Sequence, residues 1–162
     1  MARRPLSTQQ PHEMMAYLAG GIGGIGILFL GYVTRQGRFL PFYSSLLIVI
    51  ALVYVLFGVM TGRPAIIVAE SAIAAGFMGV AILGVRWQGE HVGSILIASG
   101  LMAHGLFDLA HNAMIQNAAV PVWWPPFCGT VDVIVGLWLL RLAWQGQVIT
   151  PKHHPSAAND KG

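Results

Sequence analysis

Five long runs of apolar residues dominate the chain, approximately Met14 to Val33, Phe42 to Met60, Pro64 to Val85, Val92 to Asn112 and Pro121 to Trp144. Short segments separate them, three of which carry charged residues. Each run is long enough to cross the hydrocarbon core of a bilayer, which takes about 20 helical residues. The runs are continuously apolar and lack the short, period-two alternation of a membrane β-barrel. The pattern therefore predicts an all-α, polytopic transmembrane helical bundle of about five membrane-spanning helices over residues 14–144. It leaves a polar N-terminal segment at 1–13 and a tail at 145–162 whose histidines, proline and small polar residues read as disordered. The first run is not read as a cleaved secretion signal. The segment before it is long, polar and interrupted by Pro5 and Pro11, and no small-residue cleavage pattern stands out.

Composition agrees with the pattern: 56% of the residues are hydrophobic and 9% charged, where a soluble domain carries about a quarter charged residues. Water is not the solvent for most of this surface. The net charge of +3 comes from basic residues scattered singly or in pairs at helix ends, which suits membrane anchoring better than nucleic-acid binding. Arg35, Arg38, Arg86, Arg141, Lys152 and Lys161 fall on one side of a five-helix layout, and Arg3, Arg4 and Arg63 on the other. The positive-inside rule then predicts a multi-pass protein of the cell membrane with its C-terminus cytoplasmic.

Several features have a mainly structural reading. Gly21, Gly23 and Gly26 match the spacing of a dinucleotide-binding loop, but that motif needs a preceding strand, and here it lies inside an apolar span. Small residues four apart, such as Gly20 and Gly24, instead let helix backbones approach closely in lipid and make a homo-oligomer an expectation. The second run, with Tyr43 and Tyr54 as its ionisable residues, reads as scaffold. Trp123 and Trp124 with Pro125 and Pro126 read as an interfacial anchor at the start of the last span. His153 and His154 in the tail are weak metal ligands, and Ser94 and Ser99 read as packing residues. Cys128 is the only cysteine, so no intrachain disulfide can form.

The chemistry is concentrated inside the spans. Glu70 lies in the third, His104, Asp108 and His111 in the fourth, and Asp132 in the fifth. A charged side chain at the bilayer centre costs at least about 2.5 kcal/mol on the most lenient scale, so these groups need partners. At 100° per residue, Asp108 lies about 40° around the helix from His104 and His111 about 20° the other way, so the three share one face. Cys128 and Asp132 are four apart and also share a face. Every Lys and Arg falls outside the spans or at their edges, which leaves protons, imidazolium or a bound cation to balance the carboxylates.

Mixed histidine and carboxylate donors suit zinc, iron, copper or manganese, and a cysteine ligand favours softer ions. The donors assigned are His104, Asp108, His111, Asp132 and Cys128, with zinc the first choice of divalent transition metal. His104 and His111 are two turns apart, about 10 Å, so one ion on both is strained. Pairs of Asp108 with either histidine, completed by Asp132 or Glu70, or a dinuclear site bridged by Asp108, fit better, and the other role open to a carboxylate is to orient an imidazole. Against this stands packing. A single buried histidine is usually a hydrogen-bonded core residue, Cys128 alone is a small apolar filler, and Glu70 alone is a protonated carboxyl bonded to a carbonyl or to Ser71.

Glu70, then His104, Asp108 and His111 at their spacing, a Pro-containing connection, and Cys128 and Asp132 together resemble an uncharacterised bacterial integral membrane family catalogued as domain of unknown function 6010. The likeness covers roughly the C-terminal half. That family often has a second histidine directly after the position matching His111, where this chain has Asn112, and the first helix and tail show no match. The resemblance implies a multi-helix membrane fold with a shared polar site, and no activity.

Three functions follow from the residues. The first is a metal-dependent, membrane-embedded hydrolase acting on a lipid or other apolar small molecule, with Glu70 as the catalytic base or acid and the metal activating water. The second is a proton or metal-ion transporter or sensor using the same groups. The third is a cofactor-binding subunit with His104 or His111 on a haem. The enzyme ranks narrowly first, because five short-looped helices make a thin body for an ion pathway.

Overall fold

The computed structural model describes residues 10–86 and 90–150. Five helices follow the five apolar runs: α1 (Gln10–Val33), α2 (Leu40–Met60), α3 (Pro64–Arg86), α4 (Glu90–Met114) and α5 (Trp124–Trp144). All five are long and apolar enough to cross a membrane, as the sequence pattern predicts. Their surfaces are distributed as lipid requires. Ile22, Phe29, Val68, Leu106 and Trp144 point outward and exposed, while Glu70, His104, Asp108, His111 and Asp132 are buried.

The helix ends differ from the apolar runs by a few residues for identifiable reasons. α1 begins at Gln10, ahead of its run, because a helix continues beyond the hydrocarbon edge where apolarity no longer marks it. The polar segment expected at 1–13 is thus helical from Gln10, and residues 1–9 lie outside the described residues. α5 begins at Trp124 with prolines in its first turn, where the missing N–H has no intrahelical partner to lose. Between α2 and α3 the chain reverses through Gly62, whose positive φ of 64° suits glycine, and Thr61 accepts the Arg63 backbone N–H at 3.2 Å.

The tail expected to be disordered from residue 145 is held in its described part. The Ile149 N–H donates to the Arg38 carbonyl at 2.6 Å, the Leu40 N–H donates to the Ile149 carbonyl at 2.9 Å, and Val148 is buried. Residues 151–162, with His153 and His154, lie outside the described residues.

α4 is the central helix, in contact with α2, α3 and α5, and α1 packs chiefly on α5. Glycines set these approaches. A Cβ on Gly20 would stand 2.5 Å from the Phe127 carbonyl oxygen, and one on Gly24 would stand 3.2 Å from Ile134, which is the close α1 packing expected of this small-residue pair. α3 and α4 meet at Gly84 and Gly93 in the same way. α4 and α5 meet at Gly105 and Gly129, where a Cβ on either would lie 2.9 Å from the other's carbonyl oxygen.

Up-and-down order puts the start of α1, the α2–α3 turn and the α4–α5 connection at one end of the bundle. The α1–α2 and α3–α4 connections and the end of α5 occupy the other, with Arg35, Arg38, Arg86 and Arg141.

Candidate metal centre

The contact between Gly105 and Gly129 lies beside the chemistry. His104 adjoins Gly105 in the chain and Cys128 adjoins Gly129, so the residues flanking the closest α4–α5 approach are themselves donors. One turn further along each helix stand Asp108 and Asp132 on the same faces, and because α4 and α5 run antiparallel, Asp132 comes level with Gly105 and Asp108 with Gly129. One ligand atom from each of His104, Asp108, Cys128 and Asp132 lies within 4.8 Å of all the others, and all four residues are buried.

Within the group, His104 Nδ1 is 2.8 Å from Asp132 Oδ2 and 3.6 Å from Asp108 Oδ2. The Cys128 thiol donates to Asp132 Oδ2 at 3.9 Å. The first contact fixes the imidazole, since one carboxylate oxygen holds its Nδ1. Asp108 is less well satisfied: beyond the 3.6 Å contact with His104, neither of its oxygens has a close hydrogen bond, although the residue is 1% exposed. Asp132 Oδ1 is also unbonded. Buried carboxylate oxygens without donors are costly, and among the described residues only histidines form ion pairs with these acids.

The donor set can hold a metal ion. Metal–donor bonds of about 2.0–2.3 Å place the ligands of a tetrahedron about 3.3–3.8 Å apart, and these four atoms span 2.8 to 4.8 Å. Small side-chain adjustments convert one arrangement into the other. The ligand types are those of a borderline-soft divalent ion.

His111 and Glu70 do not join this group. His111 Nε2 lies 3.0 Å from Glu70 Oε1, and the Asn117 side-chain amide donates to the same oxygen at 2.9 Å. Asn117 is itself held by its Oδ1, which accepts the Ala119 N–H at 3.1 Å. Glu70 is therefore bonded to an imidazole and an amide rather than to Ser71 or a backbone carbonyl. The two-turn separation of His104 and His111 yields two polar groups instead of one, each completed from a different helix.

Tyr54 of α2 lies between them. Its ring stacks on His111 at 4.5 Å between centroids and approaches His104 at 5.9 Å. Its buried hydroxyl faces Asp108 and interacts with that carboxylate, though too loosely to form a close hydrogen bond. α2 is thus part of the site, a correction to its reading as scaffold alone. Phe77 and Phe107 pack edgewise around His104. A crevice of about 160 Å³, too narrow for a water molecule, runs between α2, α3 and α4 and reaches Tyr54, Glu70 and His104. Trp123 is half exposed at the rim, whereas Trp124 turns inward against Phe57 at 5.5 Å.

Tyr54, Asn117, Gly105 and Gly129 are the members that sequence reasoning missed. Asn117 follows another amide, Gln116, just beyond the fourth run, and nothing in its local pattern sets it apart. The glycines differ in no local way from others in the chain. No known family model matches the chain, and neither does any curated protein or solved structure.

Proposed function

We propose that this chain is a membrane protein that binds a divalent transition metal, zinc first, through His104, Asp108, Cys128 and Asp132, and that it belongs to the transport or sensing class. The observation that carries this reading is Asp108, a buried carboxylate with no close hydrogen bond to either oxygen and only a 3.6 Å contact with His104, beside three other donors of metal-ligand type. Two carboxylates and, on binding, the Cys128 thiolate would supply negative charge for a divalent ion, in a bundle interior where no Lys or Arg forms an ion pair with the carboxylates among the described residues. Bound there, the metal would supply the positive charge these acids lack. His104 and Asp132, 2.8 Å apart, would exchange their mutual contact for bonds to the ion, and Tyr54 would bond the free oxygen of Asp108, as residues around metal ligands commonly do.

The hydrolase reading, with a lipid or apolar substrate, is less well supported. A hydrolytic metal keeps one coordination position for water, whereas four protein donors complete a tetrahedron and the adjoining crevice is narrower than a water molecule. Glu70 Oε1, expected to serve as a base, is engaged by His111 and Asn117. Haem on His104 fares no better, because Phe77, Phe107 and Tyr54 fill the space around that ring.

Cobalt(II) titration of the detergent-purified protein tests the metal reading, because its absorption reports both geometry and a sulfur ligand. One equivalent with an intense tetrahedral band and a thiolate charge-transfer band, the latter lost in Cys128→Ser, is expected. A featureless octahedral spectrum in the unaltered protein would rule the site out.

A further inference from the structure

The unpartnered polar atoms of this protein are not spread through the bundle. Among the described residues the buried side-chain nitrogens and oxygens lacking a bond belong to Tyr54, Glu70, Asp108, His111, Trp124 and Asp132. Measured along their helices at about 1.5 Å per residue, they lie near one end. His111 is about 5 Å from the end of α4. Tyr54, Glu70 and Asp108 are about 9 Å from the ends of α2, α3 and α4, and Asp132 is about 12 Å from the start of α5. All of these ends belong to the side that carries the α2–α3 turn and the α4–α5 connection.

The other half of the bundle is closed. Its core is Leu40, Leu47, Ala81, Ile97, Leu139 and Ala143. Polar groups there are tied to backbone: Ser44 donates to the Ala81 carbonyl, Tyr43 to the Gly37 carbonyl, and His91 Nδ1 lies 3.1 Å from the Ala143 carbonyl. A cation crossing that half would shed its hydration with no free donor to replace it, at a cost of several kcal/mol or more for a bare charge.

We infer that the metal reaches its four-residue centre from the α4–α5 side alone, and that Glu70, His111 and Asn117 form an entry station on that route. The inference rests on the metal reading of the centre. Asn117 sits in the connection itself, buried just beneath the exposed Gln116, and bonds Glu70 from that side. Behind it, Glu70 keeps Oε2 free and His111 keeps Nδ1 free, one carboxylate and one imidazole donor to receive a cation that has lost part of its water. Tyr54 touches both His111 and His104, so its ring separates the station from the final site. Passage then requires that ring to turn aside, which makes loading slow compared with diffusion. By the charge distribution of the loops, this entrance faces away from the side rich in arginine.

Loading from a chosen side of a sealed membrane tests the inference. The metal-free protein carrying Gln116→Cys, at an exposed position of the α4–α5 connection, is reconstituted into vesicles. A membrane-impermeant thiol reagent then measures the fraction of chains whose connection faces outward, Cys128 being buried. Cobalt(II) is added outside only, and the fraction of chains loaded is read from absorbance. Equality of the loaded and labelled fractions is the expected result. Loading of every chain, loading of the unlabelled population, or no loading in vesicles of a protein that loads in detergent would overturn one-sided entry. Failure to load even in detergent removes the metal centre itself and the inference with it. Replacing the station by Glu70→Gln, or more mildly by Asn117→Ala, is expected to slow loading at least tenfold in the outward-facing chains. Ser44→Ala in the closed half is expected to leave that rate unchanged, and unaltered rates in both station variants would remove Glu70 and Asn117 from the route.

Discussion

At the scale of single residues, Asp108 separates a metal site from a polar network that merely holds helices together. A structural network predicts that Asp108→Asn unfolds the protein, because bonds are lost. Asp108 makes no close hydrogen bond and one ion-pair contact, 3.6 Å from His104, so the substitution is expected to leave the stability of the metal-free protein nearly unchanged, the lost contact being offset by removal of a buried acid that costs about 1–3 kcal/mol when unsatisfied. Thermal unfolding with and without metal checks this: the variant's metal-free midpoint is nearly unchanged, while the stabilisation by added zinc is lost. Tyr54→Phe keeps the ring that fills the gap between the two histidines and removes only the hydroxyl. It is expected to weaken metal binding 10–100-fold, the usual range for groups around metal ligands, with little change in fold. Metal affinity is also expected to fall on acidification, since carboxylate, imidazole and thiolate ligands must all be deprotonated to bind. The shared face of His104 and Asp108, and that of Cys128 and Asp132, were legible from helical spacing alone. That Glu70 would take His111 away from the metal group was not, because a bond between helices depends on their rotation, and no repeat in the chain records it.

At the scale of the helices, glycine contacts decide whether the donors meet. Gly105→Val places a branched side chain where even a Cβ stands 2.9 Å from the Gly129 carbonyl. Overpacking of this kind costs about 1–3 kcal/mol and moves backbones, so metal binding is expected to fail while helix content by circular dichroism persists. A matched pair on α1 tests the same physics away from the site. Gly20→Ala meets the Phe127 carbonyl and is expected to lower stability, whereas Gly21→Ala enters open space and is expected to be neutral or stabilising. Equal effects of the two would contradict the packing of α1 on α5. The spans themselves were evident because hydrocarbon thickness imposes a length that hydropathy reads directly. Their ends were less so, since α1 continues past the bilayer edge from Gln10 and α5 waits for the prolines after Trp124.

For the whole molecule, five helices place the end with Thr61 and Gln116 opposite the end with Arg35 and Gln145. Single cysteines at Thr61 and at Arg35 are expected to react from opposite sides of an oriented membrane. The same asymmetry divides the interior, with the free polar atoms gathered in one half and an apolar core in the other. The bundle is consequently closed to through-passage in this conformation, which is what a carrier or sensor occluded on one side requires.

Everything from Asp108 to the one-sided interior depends on a metal ion sharing His104, Asp108, Cys128 and Asp132. Elemental analysis of the detergent-purified protein beside the His104→Ala, Asp108→Ala double variant measures this most directly. One divalent transition metal per chain, absent from the double variant, is the expected result; equal metal in both preparations, or none in either after zinc is supplied, would contradict it.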